Sequence, residues 1–131
     1  MRAPALVLLG LLGGACSAPR NATPAGDQVV ASDSATLARL ETEARALARS
    51  DGCEAAGECR AAPLGARPCG GPRAYLVYCA RRTDSVALFR KLAELQRAEQ
   101  AYNERQGLMG TCEFRTPPGV ALVGGACRAA P

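Results

Sequence analysis

The chain has 131 residues, no Trp, two Phe and three Tyr, and a formal charge of +4 at neutral pH. A core without large aromatic side chains is made of Leu, Val and Ala and stays modest, so a domain this small calls for covalent support. The lack of His removes Ser-His-Asp and Cys-His chemistry and the commonest zinc and haem ligand, and scattered basic residues, with no basic stripe or interleaved aromatics, speak against a nucleic-acid partner.

Arg2 precedes the apolar run Ala5-Leu6-Val7-Leu8-Leu9-Gly10-Leu11-Leu12 and the small residues Gly13-Gly14-Ala15. This is the layout of a bacterial export signal over residues 1–15, too short to span a bilayer as a mature helix. Cys16, directly after the small residues, resembles the lipobox cysteine of bacterial lipoproteins, although Gly13 stands where that family usually has Leu. The resemblance implies that Cys16 becomes the first mature residue and is acylated. It further implies an exported chain held in the cell envelope by a lipid anchor, with Ser17, in place of an Asp retention signal, favouring the outer membrane. Residues 17–33 are rich in Ser, Ala, Pro and Gly, without periodicity, and read with the lipidated Cys16 as a flexible tether. The folded domain is expected over residues 34–131.

Asp33 or Ser34 caps a predicted helix running to about Ser50, with Leu37, Leu40, Ala44 and Leu47 on one face, Glu41, Glu43, Arg45 and Arg49 solvating the rest, and Gly52 as its stop. The following segment is interrupted by Pro63, Pro68 and Pro72; Arg60 to Leu64 fits a short strand and Cys69-Gly70-Gly71-Pro72 a sharp turn. Ala74-Tyr75-Leu76-Val77-Tyr78-Cys79 is apolar on both faces and is expected as a central strand. Thr83 or Asp84 caps the longest helix, which ends near Gln106 with Gly107 beyond it. Its stripe is Leu88, Leu92, Leu95 and Tyr102, and Glu99 falls in the middle of that stripe. Val120 to Val123 reads as a strand that turns at Gly124-Gly125 and returns through Ala126-Cys127-Arg128. The expected fold is a small disulfide-stabilised α+β domain, two helices packed on a short antiparallel sheet.

Beyond Cys16 six cysteines remain: Cys53, Cys59, Cys69, Cys79, Cys112 and Cys127. An even number in an exported chain predicts three disulfides. No Cys-x-x-Cys pair exists, which speaks against both a zinc cluster and a redox enzyme. The expected pairing is Cys53–Cys59, Cys69–Cys112 and Cys79–Cys127, tying the Gly-Gly-Pro turn and the Tyr75 strand to the C-terminal segment.

From Cys53 to Cys127 the chain resembles a family of small exported bacterial proteins of unknown function. The likeness rests on Cys53, Cys59-Arg60, Gly65, Cys69-Gly70-Gly71-Pro72, Tyr75-Leu76-Val77-Tyr78, Tyr102-Asn103, Gly107, Cys112, Pro117-Pro118 and Gly125-Ala126-Cys127. The Cys-Gly-Gly-Pro turn before a Tyr-x-x-Tyr strand is its most specific part. Cys79 departs from the pattern, which carries Ser there. The resemblance implies a fold unit and no reaction.

The site candidates are few. Tyr75 and Tyr78 point to opposite faces of a strand, so one belongs to the core and the other, beside Arg73, is the edge of that core or part of a ligand or partner surface. Glu99 is the one polar residue on an apolar stripe; it is a catalytic acid, the partner of an Arg such as Arg73, Arg81 or Arg82, or lies where the helix leaves the sheet. Gly70-Gly71 presents backbone N–H groups to an anion or simply closes a turn. No catalytic constellation, cofactor or metal site is expected. The expected function is a membrane-tethered, non-enzymatic module that binds an envelope protein or component. The alternative is a secreted protease inhibitor presenting the Cys59–Cys69 loop, with Arg60 or Arg67 filling an acidic specificity pocket.

Overall fold

The computed structural model describes residues 24–130. The export signal expected over residues 1–15, the lipidation expected at Cys16 and the first part of the expected tether lie outside them. Helix α1 spans Ala25–Leu47. It starts well before the expected cap at Asp33 or Ser34, so residues 25–33, read as tether, are helical. Pro24 is pre-set for a helix start, Asp27 in the first turn complements the helix dipole, and Asp33 pairs with Arg105 of the second helix at 2.8 Å. At the other end α1 stops at Leu47 rather than near Ser50. There the Arg49 N–H donates to Thr83 Oγ1 (3.2 Å) and the Arg49 carbonyl accepts from the Cys79 N–H (2.7 Å), so long-range bonds replace another helical turn.

Strand β1 (Cys59–Leu64) pairs antiparallel with β2 (Ala74–Cys79), Cys59 opposite Cys79 and Leu64 opposite Ala74. The expected turn between them is present: Gly70 N–H donates to the Arg67 carbonyl and Arg67 N–H to the Gly71 carbonyl, both at 3.0 Å. Gly70 and Gly71 have φ of +94° and +76°, which only Gly adopts freely. Helix α2 runs Ser85–Arg105, capped by the Asp84 carboxylate accepting from the Ala87 N–H at 3.0 Å. Strands β3 (Val120–Val123) and β4 (Ala126–Ala129) form the expected hairpin over Gly124-Gly125.

The small disulfide-stabilised α+β class is as expected; the single sheet is not. Among the described residues there are two two-stranded antiparallel sheets, and β2, expected to be central, has only β1 as strand neighbour there. The chain leaving α1 occupies the place a third strand would take. Its Arg49 carbonyl accepts from Cys79 N–H, its Ser50 carbonyl accepts from Cys127 N–H (2.7 Å), and its Gly52 and Cys53 N–H groups donate to the Gly125 carbonyl (2.9 and 3.2 Å).

The two apolar faces of β2 feed two cores. Leu76 and Tyr78 join Ala62 and Leu64 beneath Leu40 and Ala44 of α1 and Leu88, Leu92 and Leu95 of α2. Behind the sheet, Cys53, Cys59, Cys79 and Cys127 pack with Val77, Val120 and Leu122. All six cysteines beyond Cys16 are paired: Cys53–Cys79, Cys59–Cys127 and Cys69–Cys112, with Cα separations of 5.7, 5.4 and 5.2 Å. Only Cys69–Cys112 matches the expected pairing. Cys59 and Cys79 sit opposite each other at the ends of β1 and β2, so exchanging their partners changes no element of the fold. The chain after α1 brings Cys53 to Cys79, and the β3–β4 hairpin brings Cys127 to Cys59.

Candidate functional site

The β1–β2 turn, the C-terminal half of α2 and the middle of α1 meet around Arg73. Glu99 is the buried polar group there, its side chain 9% exposed. Its Oε2 accepts from the Ala66 N–H at 2.6 Å and its Oε1 from an Arg73 guanidinium nitrogen at 2.8 Å. The same guanidinium donates to Glu41 of α1 at 2.7 Å. Of the three arginines the sequence offered, Arg73 is therefore the partner; Arg81 pairs with Glu54 instead. The hydrogen bond to Glu99, reinforced by Glu41, raises the Arg73 pKa against the opposing effect of burial. Burial pushes the Glu41 carboxyl up, but hydrogen bonds and charge from Arg45 and Arg73 outweigh it and hold Glu41 below the usual carboxylate value. Glu41, expected among the solvating residues, is thus the third member of the network. Gly65 has φ +68°, and a Cβ there would lie 2.3 Å from Glu99 Oε2. Glycine is required both by the backbone and by the approach of the carboxylate. With both oxygens engaged by fixed donors, Glu99 is a clamp joining α2 to the β1–β2 turn and, through Arg73, to α1.

Beside the clamp the chain from Leu108 to Gly119 has no regular secondary structure. Its length is well beyond the roughly 4–6 residues of a typical connection. It is nevertheless fixed at several points. Cys112 is bonded to Cys69, Leu108 N–H donates to the Asn103 carbonyl (2.9 Å), and the Tyr75 hydroxyl donates to the Arg115 carbonyl (3.0 Å). The Arg67 guanidinium donates to the Glu113 carbonyl. On this pinned frame Met109 is 95% exposed, Phe114 88% and Leu108 47%. Met109 and Phe114 lie on two sides of the Arg67–Gly70 turn, in grooves that share those two residues. The sequence reading passed over this loop. The signal was there in three large apolar residues without periodicity between Gly107 and Val120, fed by a cysteine.

The remaining candidates are dispersed. Tyr75 and Tyr78 do face opposite ways: Tyr78 is buried with its ring edge-on to Phe89 at 6.4 Å, while Tyr75 is partly exposed and reaches the loop. Arg73 is spent on Glu99 and Glu41, so Arg73, Tyr75 and Tyr78 do not make one surface. Arg60 to Leu64 is strand rather than loop, with the Arg60 guanidinium folded onto the Gly57 and Cys59 carbonyls, and Cys59 and Cys69 are not bonded to each other. The Gly70 N–H is taken by the turn. The sulfurs of Cys53, Cys79 and Cys127 lie within 4.8 Å of one another, but in disulfides they are not the thiolates that ligate metal. No protein-family model matches the chain, and no curated protein or solved structure is significantly similar to it.

Proposed function

We propose that this chain is an exported, lipid-anchored, non-enzymatic binding module of the cell envelope, whose contact surface is the loop Leu108 to Gly119. The observation that carries the reading is the exposure of Met109 and Phe114 on a loop pinned by Cys69–Cys112. Large apolar side chains held out on a fixed frame mark a contact surface. Three disulfides point to an oxidising, extracytoplasmic setting. Among the described residues no helix is long and apolar enough to cross a membrane; the proposed attachment rests on the likeness of the segment before Cys16 to a lipobox. The non-enzymatic part is supported by the commitment of both Glu99 oxygens to Ala66 and Arg73.

The test is a photoreactive residue at position 114 of the full chain in living cells, read by mass spectrometry together with the mature N-terminus. An acylated Cys16 and a single major adduct at position 114 are expected. An unmodified N-terminus would remove the anchor, and an uncross-linked position 114 would remove the contact surface.

A further inference from the structure

We infer that the component this loop contacts is the lipid surface of the membrane that carries the anchor, with Met109 and Phe114 as the inserting side chains; the inference rests on acylation of Cys16. Three observations point to lipid. The first is position. The root of the loop lies against the middle of α1, the helix whose N-terminal side leads back to Cys16. Arg105, at the root of the loop, pairs with Asp33 at 2.8 Å. Leu108 lines a groove with Ser34, Leu37 and Ala38.

The second is reach. Seven residues separate Cys16 from Pro24, so Pro24 stands at most about 28 Å from the lipid-bearing residue. From Ala25 to Asp33 the helix adds about 12 Å. The bilayer that carries Cys16 is therefore within about 40 Å of the Asp33–Arg105 pair at the root of the loop, a span that leaves the loop free to reach it. The anchor also makes insertion an intramolecular event at high effective concentration. Two side chains suffice under those conditions, each strengthening insertion by about tenfold when buried.

The third is exposure and charge. Met109 and Phe114 are the most exposed large apolar side chains among the described residues, at 95% and 88%, on adjoining grooves that share Arg67 and Gly70. A fluid interface takes up such side chains without a fitted pocket for each. The exposed charges next to Phe114 are Glu113 and Arg115, which cancel. Insertion is therefore driven by apolar burial and does not require anionic lipid, unlike polybasic attachment.

The chain contains no Trp, so Phe114→Trp and, separately, Met109→Trp give single-reporter proteins. Full-length lipidated variants are placed on vesicles of zwitterionic phosphatidylcholine, with and without anionic phosphatidylglycerol. The control is Val86→Trp, 80% exposed near the far end of α2. The expected result is a blue-shifted emission at positions 114 and 109, quenched by lipids brominated on their acyl chains and equal in both vesicle types, with Val86→Trp unquenched. Proteins that float with the vesicles yet show no quenching at either loop position overturn the lipid assignment and leave the anchor standing. Proteins that do not float overturn the anchor and, with it, the inference. A position-114 adduct in cells that is a protein rather than a lipid also overturns it.

Discussion

Glu99→Gln is the sharpest probe of what holds the two helices to the β1–β2 turn. The amide keeps the volume and one acceptor, so the bond from Ala66 N–H survives. Its NH₂ then faces the Arg73 guanidinium, donor against donor. One charge-assisted hydrogen bond is lost, about 1.5–3 kcal/mol in a protein interior. The Arg73 side chain is 42% exposed and keeps Glu41, so the expected loss is smaller, about 1–2 kcal/mol, rather than the roughly 3–5 kcal/mol of a fully buried broken pair. For a domain of about 100 residues that lowers Tm by roughly 5–15 °C. Glu99→Ala goes further, because the buried Ala66 N–H loses its acceptor and a void opens; about 3–4 kcal/mol is expected. Gly65→Ala completes a cycle. Alone it places a Cβ 2.3 Å from Glu99 Oε2 and should displace the carboxylate. Combined with Glu99→Ala it should cost only the backbone penalty of a left-handed φ, about 1–2 kcal/mol. The assay is thermal unfolding by circular dichroism at neutral pH without reductant. A Glu99→Gln protein with unchanged Tm, or additive losses for Gly65→Ala and Glu99→Ala, would refute the clamp.

Two further outcomes are expected. Cys69 and Cys112 are exposed while the other four paired cysteines are buried, so mild reductant should open Cys69–Cys112 first; peptide mapping after alkylation that finds Cys53–Cys79 or Cys59–Cys127 opening first would contradict the burial assignment. Glu41 titrates below its usual 4.5 in the folded chain, so its contribution to stability is complete above about pH 4.5 and is lost as pH falls through the depressed value; Glu41→Gln should flatten the acid limb of a Tm–pH curve, and an unchanged limb would exclude Glu41 from the network.

The elements with local signals were legible in the sequence. Asp84 and Gly107 bracket α2, and Gly124-Gly125 sets the hairpin, because a cap or turn residue acts within a few positions of itself. The ends of α1 were not. Residues 25–33 carry Ala, Val, Ser and Asp in proportions that suit a helix or a coil, and the contact with Arg105 that favours helix comes from far along the chain. The early stop at Leu47 likewise depends on Thr83 and Cys79. Glu99 was legible as an anomaly because its stripe is helical, but three arginines were open to it. Hairpin register decides among them: Arg73 N–H donates to the Leu64 carbonyl at 3.0 Å, which sets Arg73 beside Gly65 and Ala66. Cysteine parity gave three disulfides, and the opposition of Cys59 and Cys79 is why it did not give their partners.

The three disulfides divide into two kinds of work. Cys53–Cys79 and Cys59–Cys127 form most of a core that has only Val77, Val120 and Leu122 besides. Buried cystine there stands in for the aromatic mass this chain lacks, and it joins the β3–β4 hairpin and the segment after α1 to the main sheet. Cys69–Cys112 buries nothing comparable. Its chain-entropy contribution, roughly 4 kcal/mol for a separation of 43 residues, acts on the unfolded chain, where it closes the stretch that holds β2 and α2. In the folded chain the same bond fixes the segment Leu108 to Gly119 to the β1–β2 turn. Of the three bonds, this one therefore acts on stability through the unfolded chain alone, and in the folded chain it sets where the loop after α2 meets the turn that carries Cys69.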